Sequence, residues 1–277
     1  MNKPKLNKKI NDDGIIYYIS KYQPNNKITV YNFNSSNNVE QLKYDYSSEE
    51  ETLNRKNRDP SKLFPYLSNK SQLCNLKIDD KSLNYISGRE DSARITVVLK
   101  IELEYMSKDK GILGNLIRDC VITDATSGVG GNTISFAGEF KHVHSIEIES
   151  QRYEYLLNNV DIYELDNVIC YNDNCLNVIY NICDHDVIFF DPPWGGRGYK
   201  NVKNIRLQLS NIEIENICND LMDDKKMLKV PKLLSLKLPL NYDIEYLKKM
   251  INYKVKIVVM KRMQIILIHA VNKKIGE

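Results

Sequence analysis

The stretch Ile188-Phe189-Phe190-Asp191-Pro192-Pro193-Trp194-Gly195-Gly196 sets a carboxylate, two prolines and an aromatic ring at the end of an apolar run. Val187 to Phe190 reads as a strand buried on both faces, and the prolines stop it by removing backbone donors and fixing φ. Carbonyls beyond the strand are left free, and Trp194, the only tryptophan of the chain, offers a flat face beside them. Such a corner suits methylation of an amino group conjugated into a base or amide, a poor nucleophile. The Asp191 carboxylate and the Pro192 carbonyl can accept its hydrogens and favour the pyramidal nitrogen, while Trp194 stacks on the ring. Asp191, Pro192 and Trp194 are therefore the candidate catalytic residues. A strand ending in a Pro-Pro turn with a packing Trp is the competing reading.

Directly after the corner, Arg197, Lys200, Lys203 and Arg206 crowd around Tyr199. Cations beside a base-stacking face suit the phosphates of an RNA 5′ end, so these residues and Trp194 are candidate substrate contacts. A solvated basic loop would look the same.

A second constellation lies upstream. Cys120 to Asp124 reads as a strand, Ala125 to Asn132 as a glycine-rich turn, and Thr133 to about Phe140 as a helix. Gly128 and Gly130 let backbone approach a ligand closely. Another strand, His142 to Ile148, carries Glu147 about twenty residues beyond the turn, where an acidic side chain meets ribose hydroxyls in nucleoside-binding α/β folds. The second half of a dinucleotide fingerprint is absent, as is the Lys and Ser/Thr pair of a P-loop. A nucleoside without a phosphate chain is expected, and S-adenosylmethionine fits. Asp124, Thr126, Gly128, Gly130, Asn132 and Glu147 are its candidate contacts. Asp173, which follows the strand Val168 to Tyr171, could receive an adenine amino group, with Asx-turn chemistry the alternative.

The elements that must position these groups alternate between strand and helix. A helix over Ser87 to Met106, capped by Asp91 or Ser92, presents Ile95, Val98, Leu99, Ile101, Leu103 and Met106 on one face. The amphipathic stretch Ser150 to Leu165 follows the Glu147 strand; Ile212 to Met222 and Tyr242 to Ile251 read as helices, and Leu233 to Pro239 as a strand. Val255 to Met260 and Gln264 to Ala270, joined at Lys261-Arg262-Met263, read as a closing hairpin. Residues 1–71, rich in Asn, Lys, Ser and Tyr, are expected to form a polar extension or small accessory module, and 72–277 the main domain. The acidic run Ser47 to Glu51 is given no function.

With 277 residues and 42% hydrophobic content the chain can build a sizeable core. No apolar run is long enough to span a bilayer, and Met1 to Lys5 lack a signal peptide's apolar region; an intracellular protein, cytoplasmic or nuclear and not secreted, is expected. A net charge of +3 does not by itself demand a nucleic-acid partner. The six cysteines form no CxxC pair and the four histidines lack metal-site spacing, so reduced thiols and no metal are expected.

The order of elements matches a doubly wound, Rossmann-like α/β fold: a mostly parallel seven-stranded sheet with a C-terminal antiparallel hairpin, as in class I methyltransferases. The runs Asp124 to Ile134 and Asp191 to Gly196 together resemble the motifs of the trimethylguanosine synthase family, the RNA cap guanine-N2 methyltransferases. The resemblance spans about Ser87 to Val271. It implies that Trp194 stacks on the cap's 7-methylguanine, Glu147 holds the cofactor ribose and Asp173 the adenine. It also implies conversion of a 7-methylguanosine cap to its 2,7-dimethyl or 2,2,7-trimethyl form, with S-adenosylhomocysteine as coproduct and 5′-capped RNA or a cap nucleotide as partner. The chain departs from the family where Asp191 stands for a frequent Ser and Arg197 for a usual Pro. Two other readings stay open: a methyltransferase for an exocyclic amine of a base in structured RNA or DNA, and a non-catalytic RNA-binding subunit of the same fold.

Overall fold

The computed structural model describes residues 60–67, 69–108 and 116–273, together with three short strands that precede them. Those strands are β1 (Leu6–Ile10), β2 (Ile16–Ser20) and β3 (Thr29–Tyr31); they are followed by β4 (Val121–Asp124), β5 (His142–Ile146), β6 (Val168–Tyr171) and β7 (Val187–Phe190). The last five are β8 (Gln208–Leu209), β9 (Ile212–Glu213), β10 (Leu233–Pro239), β11 (Tyr253–Val259) and β12 (Met263–Lys273). The helices are α1 (Pro60–Leu63), α2 (Ser82–Tyr85), α3 (Arg89–Lys108), α4 (Gly131–Ala137), α5 (Ser150–Ile162), α6 (Cys175–Val178), α7 (Ile214–Leu221) and α8 (Ile244–Met250). The acidic run Ser47 to Glu51 lies outside the described residues.

One sheet carries the architecture, in the order β3-β11-β12-β10-β7-β4-β5-β6. From β6 to β10 neighbours run parallel, whereas β12 is antiparallel to both β10 and β11. The seven expected strands are all present, and β3 adds an eighth by pairing antiparallel with β11. Every residue of β4, β7 and β10 is buried, which is why these central strands read as largely apolar, interrupted in β4 by Thr123 and Asp124 and in β10 by Ser235 and Lys237. β6, at the edge, is only half covered.

Period-two alternation sorts the central side chains onto two faces. Ile188, Phe190, Leu234, Leu236 and Leu238 join Ile214, Ile217 and Leu247 of α7 and α8 in one cluster. Val187, Phe189 and Leu233 face the other way, against Ile95, Leu99 and Leu103 of α3. A smaller cluster joins Phe64 and Leu76 to Val129 and Ile134, and so crosses the expected boundary at residue 71.

Several element limits differ from the sequence reading. The long helix starts at Arg89, so Asp91 and Ser92 sit inside its first turn, where Ser92 Oγ donates to the Arg89 carbonyl, rather than capping it. α7 begins at Ile214 because Ile212 and Glu213 pair with Leu209 and Gln208. The hairpin closes over Met260 to Arg262, with Met263 already in β12 and its carbonyl accepting the Met260 N–H at 2.8 Å.

The candidate active site

Strand order reverses between β4 and its two neighbours β5 and β7, and a doubly wound sheet opens a crevice at the carboxyl ends of such strands. Asp124, Glu147, Asp173 and Asp191 all lie at or just beyond these ends. The two predicted constellations therefore meet on one edge of the sheet, and the backbone N–H of Asp191 donates to Thr126 Oγ1 at 2.7 Å.

At the end of β4 the chain turns through Gly128 (φ +56°) and Gly130 (φ +100°), left-handed conformations that suit glycine. A Cβ on Gly128 would point into open space, leaving backbone accessible there. At Gly131 a Cβ would stand 2.7 Å from Ile86 Cγ1 and 2.9 Å from the Ser87 carbonyl oxygen, so this glycine admits the segment ahead of α3. The Glu147 carboxylate braces the turn: Oε2 accepts the Gly128 N–H at 2.8 Å and Oε1 the Glu149 N–H at 2.9 Å. Asp124, fully buried, accepts from Thr133 Oγ1 at 2.7 Å. Burial, reinforced by the charges of Asp191 and Glu147 and opposed by the Thr133 hydrogen bond, pushes its carboxyl up to about 7. Asp173 is exposed, and its Oδ1 accepts from the Asn174 N–H at 2.6 Å and from Asn177 Nδ2 at 3.0 Å, whereas the Asx turn of this segment is made by Asn174, whose Oδ1 accepts the Leu176 N–H at 3.0 Å.

At the end of β7 Asp191 is held by partners remote in sequence. Its Oδ2 lies 2.6 Å from Lys237 Nζ, and Lys237 also donates to Ser87 Oγ at 2.8 Å. Burial raises the Asp191 carboxyl, while Lys237, Ser87 and Asn132 pull it back. Trp194 is half-buried: its indole N–H donates to the Lys237 carbonyl at 3.3 Å, Tyr199 meets its ring edge-on at 5.2 Å, and Lys237 Nζ lies 5.5 Å from the ring centroid. Pro192 is buried. In the basic loop Lys200 and Lys203 are exposed, whereas Arg206 pairs with Asp243 at 3.2 Å and lies 3.5 Å above the Tyr246 ring. The side chain of Arg197 lies outside the described residues.

Lys237 and Ser87 were not singled out from the sequence. The one available signal for Lys237 was a lone charge within the apolar strand Leu233–Pro239. Ser87 had only its charged neighbours to mark it. A separate cleft of about 530 Å³, lined by His144, Tyr171, Asn181 and Asp184 among others, shares no residue with the constellation. His144 uses both ring nitrogens there, on Tyr171 and Asp184.

S-adenosylmethionine carries a sulfonium and an ammonium, so its site must offer acceptors. Asp124 Oδ1 and Asn132 Oδ1 are buried acceptors with no hydrogen-bond partner among the described residues, and in the chain they flank the turn at Gly128 on its two sides. These acceptors fit the molecule's ammonium.

The chain is similar to proteins from several sources. An uncharacterized protein of Acanthamoeba polyphaga mimivirus is 38% identical over 195 residues, 66% of this chain and 74% of its own length. The trimethylguanosine synthase of Saccharomyces cerevisiae is 25% identical over 203 residues, 68% of this chain and 58% of the yeast protein. Among solved structures, an rRNA methylase from Streptococcus thermophilus superimposes with a TM-score of 0.40 at 14% identity, covering 56% of this chain and 90% of the methylase. The family model described as RNA cap guanine-N2 methyltransferase matches residues 119–273, from two residues before β4 through β12, and by that match over more than half of its length the chain belongs to this family.

Proposed function

We propose that the chain methylates the exocyclic N2 of a 7-methylguanosine RNA cap, giving the 2,7-dimethyl or 2,2,7-trimethyl product. The observation that carries this reading is that Asp191, three residues before Trp194, is tied through its backbone N–H to Thr126 in the turn that leads to Gly128, next to buried unpaired acceptors. Asp124, Asn132, Gly128 and Glu147 would hold S-adenosylmethionine, with Asp173 toward its adenine. Bound there, the cofactor supplies an electrophilic methyl group and leaves as S-adenosylhomocysteine.

The protein's own groups handle the amine. The Pro192 carbonyl and the Asp191 carboxylate accept its hydrogens, which frees the nitrogen lone pair for attack. As the new N–C bond forms the nitrogen becomes positive, and Asp191 stabilises that charge until a proton departs. Trp194 stacks on the base, and a cationic 7-methylguanine gains cation–π attraction of roughly 1 kcal/mol in addition. Lys200 and Lys203, with Arg197, contact the phosphates; Arg206 joins them on leaving Asp243. The catalytic unit is 72–277 with the segment from Pro60 packed onto it, and no helix among the described residues is long and apolar enough to cross a membrane.

A second reading draws on the packing of Trp194 against Tyr199 and Lys237, which gives the ring a structural task independent of any cap. The substrate would then be an exocyclic amine within structured RNA or DNA. Incubation with isotope-labelled S-adenosylmethionine and capped RNA, followed by nucleoside analysis, distinguishes the two. Label in 2,7-dimethylguanosine at the 5′ end is expected, and label confined to an internal base overturns the cap assignment.

A further inference from the structure

A lysine inside a buried strand calls for an explanation. Lys237 is 5% exposed, on the same face of β10 as Leu233, where α3 covers the sheet. A lone ammonium there would be strongly disfavoured, and it is tolerated because Asp191 lies 2.6 Å away. Buried ion pairs are weak stabilisers, since the loss of hydration offsets most of the attraction, and apolar residues of similar size often serve stability as well or better. Stability therefore does not account for a lysine at this position. Its location does: the pair stands at the corner where Asp191 and Trp194 meet, with the ammonium 5.5 Å from the indole centroid.

We propose that Lys237 is a positioning residue of the methyl-transfer site, which holds the Asp191 carboxylate as an anion in one orientation while Ser87, beside that carboxylate, anchors the ammonium. This rests on the function proposed above. Three remote parts of the chain converge here, since Ser87 precedes α3, Asp191 follows β7 and Lys237 lies on β10. Ser87 Oγ receives the Lys237 N–H at 2.8 Å and lies 3.4 Å from Asp191 Oδ2, so the three polar groups close a small ring. Gly131 makes room for the Ser87 backbone, tying the ring to the turn that would carry the cofactor. Around Asp191 stand also Thr126, whose Oγ1 accepts its backbone N–H, Asn132 on α4, which hydrogen-bonds it, and Asp124 at the end of β4, with Glu147 acting on Asp124 from the strand beyond. Lys237 is the cation of that set. Without it, the carboxyl would face burial and a neighbouring carboxylate with no compensating charge, and it would take up a proton.

The test compares Lys237→Met, Lys237→Arg and the double variant Asp191→Asn/Lys237→Met in the full chain, with methyl transfer to a 7-methylguanosine cap analogue followed from about pH 6 to 9. Circular dichroism and cofactor titration establish that each variant is folded. Lys237→Met is expected to lose turnover on the order of 10²-fold near neutrality with a much smaller change in KM, and to recover part of it as pH rises, because Asp191 must then shed its proton unaided. Lys237→Arg should keep the wild-type pH profile. The double variant should fold and stay inactive at every pH, since its amide cannot carry the charge. A Lys237→Met enzyme with wild-type turnover, or with the same fractional loss across the pH range, overturns the proposal. If the wild-type protein does not methylate the cap analogue at all, it is the function proposed above that fails. The pairing is then read without substrate, from the Asp191 carboxyl titration by NMR: an upward move in Lys237→Met supports it, and no move overturns it.

Discussion

The ends of β4 and β7 lie on adjacent strands, yet they are built from different materials. At β4 the bracing hydrogen bonds span short stretches of chain: Glu147 braces Gly128 nineteen residues away, and Thr133 reaches back nine residues to Asp124. At β7 the partners are remote, with Ser87 separated from Asp191 by 104 residues and Lys237 by 46. A locally closed site can be recognised from its own segment. A site assembled across the sheet shows only one of its parts in any one segment.

Substitutions should separate the two ends, and the largest effect is expected at Asp191. Asp191→Ala should lower kcat on the order of 10³-fold while cofactor affinity changes little, because its hydrogen bond strengthens only as the amine pyramidalises. Steady-state kinetics together with calorimetry would expose a coupling between the two ends if both quantities fell together.

Glu147→Ala should act the other way, weakening S-adenosylmethionine binding about 30-fold with kcat at saturation nearly preserved. Both of its oxygens hold backbone N–H groups, and their loss would leave the Gly128 turn unbraced. Calorimetric titration is the measurement, and unchanged affinity in a folded variant would remove Glu147 from the cofactor site.

Trp194→Ala should reduce the preference for 7-methylated over unmethylated cap by about tenfold, and Trp194→Phe should keep part of it, since a smaller ring still stacks and attracts a cation. Fluorescence-independent binding assays with both cap analogues read the ratio. An unchanged ratio in Trp194→Ala would leave the ring as packing against Tyr199 and Lys237.

The β4 end has its own pH signature. Burial, with the charges of Asp191 and Glu147 added, places the Asp124 carboxyl at about 7, above its ordinary value of 3.8. A raised acid favours the folded state when protonated, so this contribution to the stability of the ligand-free protein is complete below about pH 4 and is lost as pH rises through about 7. Affinity for the cationic cofactor should rise by several-fold over the same window, as the ionised carboxylate attracts it. Thermal melts and cofactor titrations from about pH 5 to 8 should show both trends, and Asp124→Asn should flatten both.

The smallest effects belong to the loop. Lys200→Ala and Lys203→Ala should weaken methylated and unmethylated caps alike, about threefold each at low salt, and lessen the salt dependence. A selective loss for one cap would place these lysines nearer the base than the phosphates.

The alternation of strands and helices, the glycine turn, and the carboxylates at the strand ends are legible in the order of residues. These depend on apolar periodicity and on residues whose backbone limits are intrinsic: Pro192 and Pro193 must stop β7, and Gly128 tolerates its left-handed turn wherever it stands. Tertiary structure alone decided the partners of those carboxylates. Nothing near Asp191 in the chain announces Lys237 or Ser87, because the contact exists only once β10 lies beside β7 and the segment before α3 settles against Gly131. The same holds for Arg206, free in the sequence but paired with Asp243 across a fold contact, and for β3, whose short polar surroundings hide its place on β11. Periodicity reports burial of an element, whereas the choice of a charged partner depends on which distant strand the sheet brings within hydrogen-bond distance.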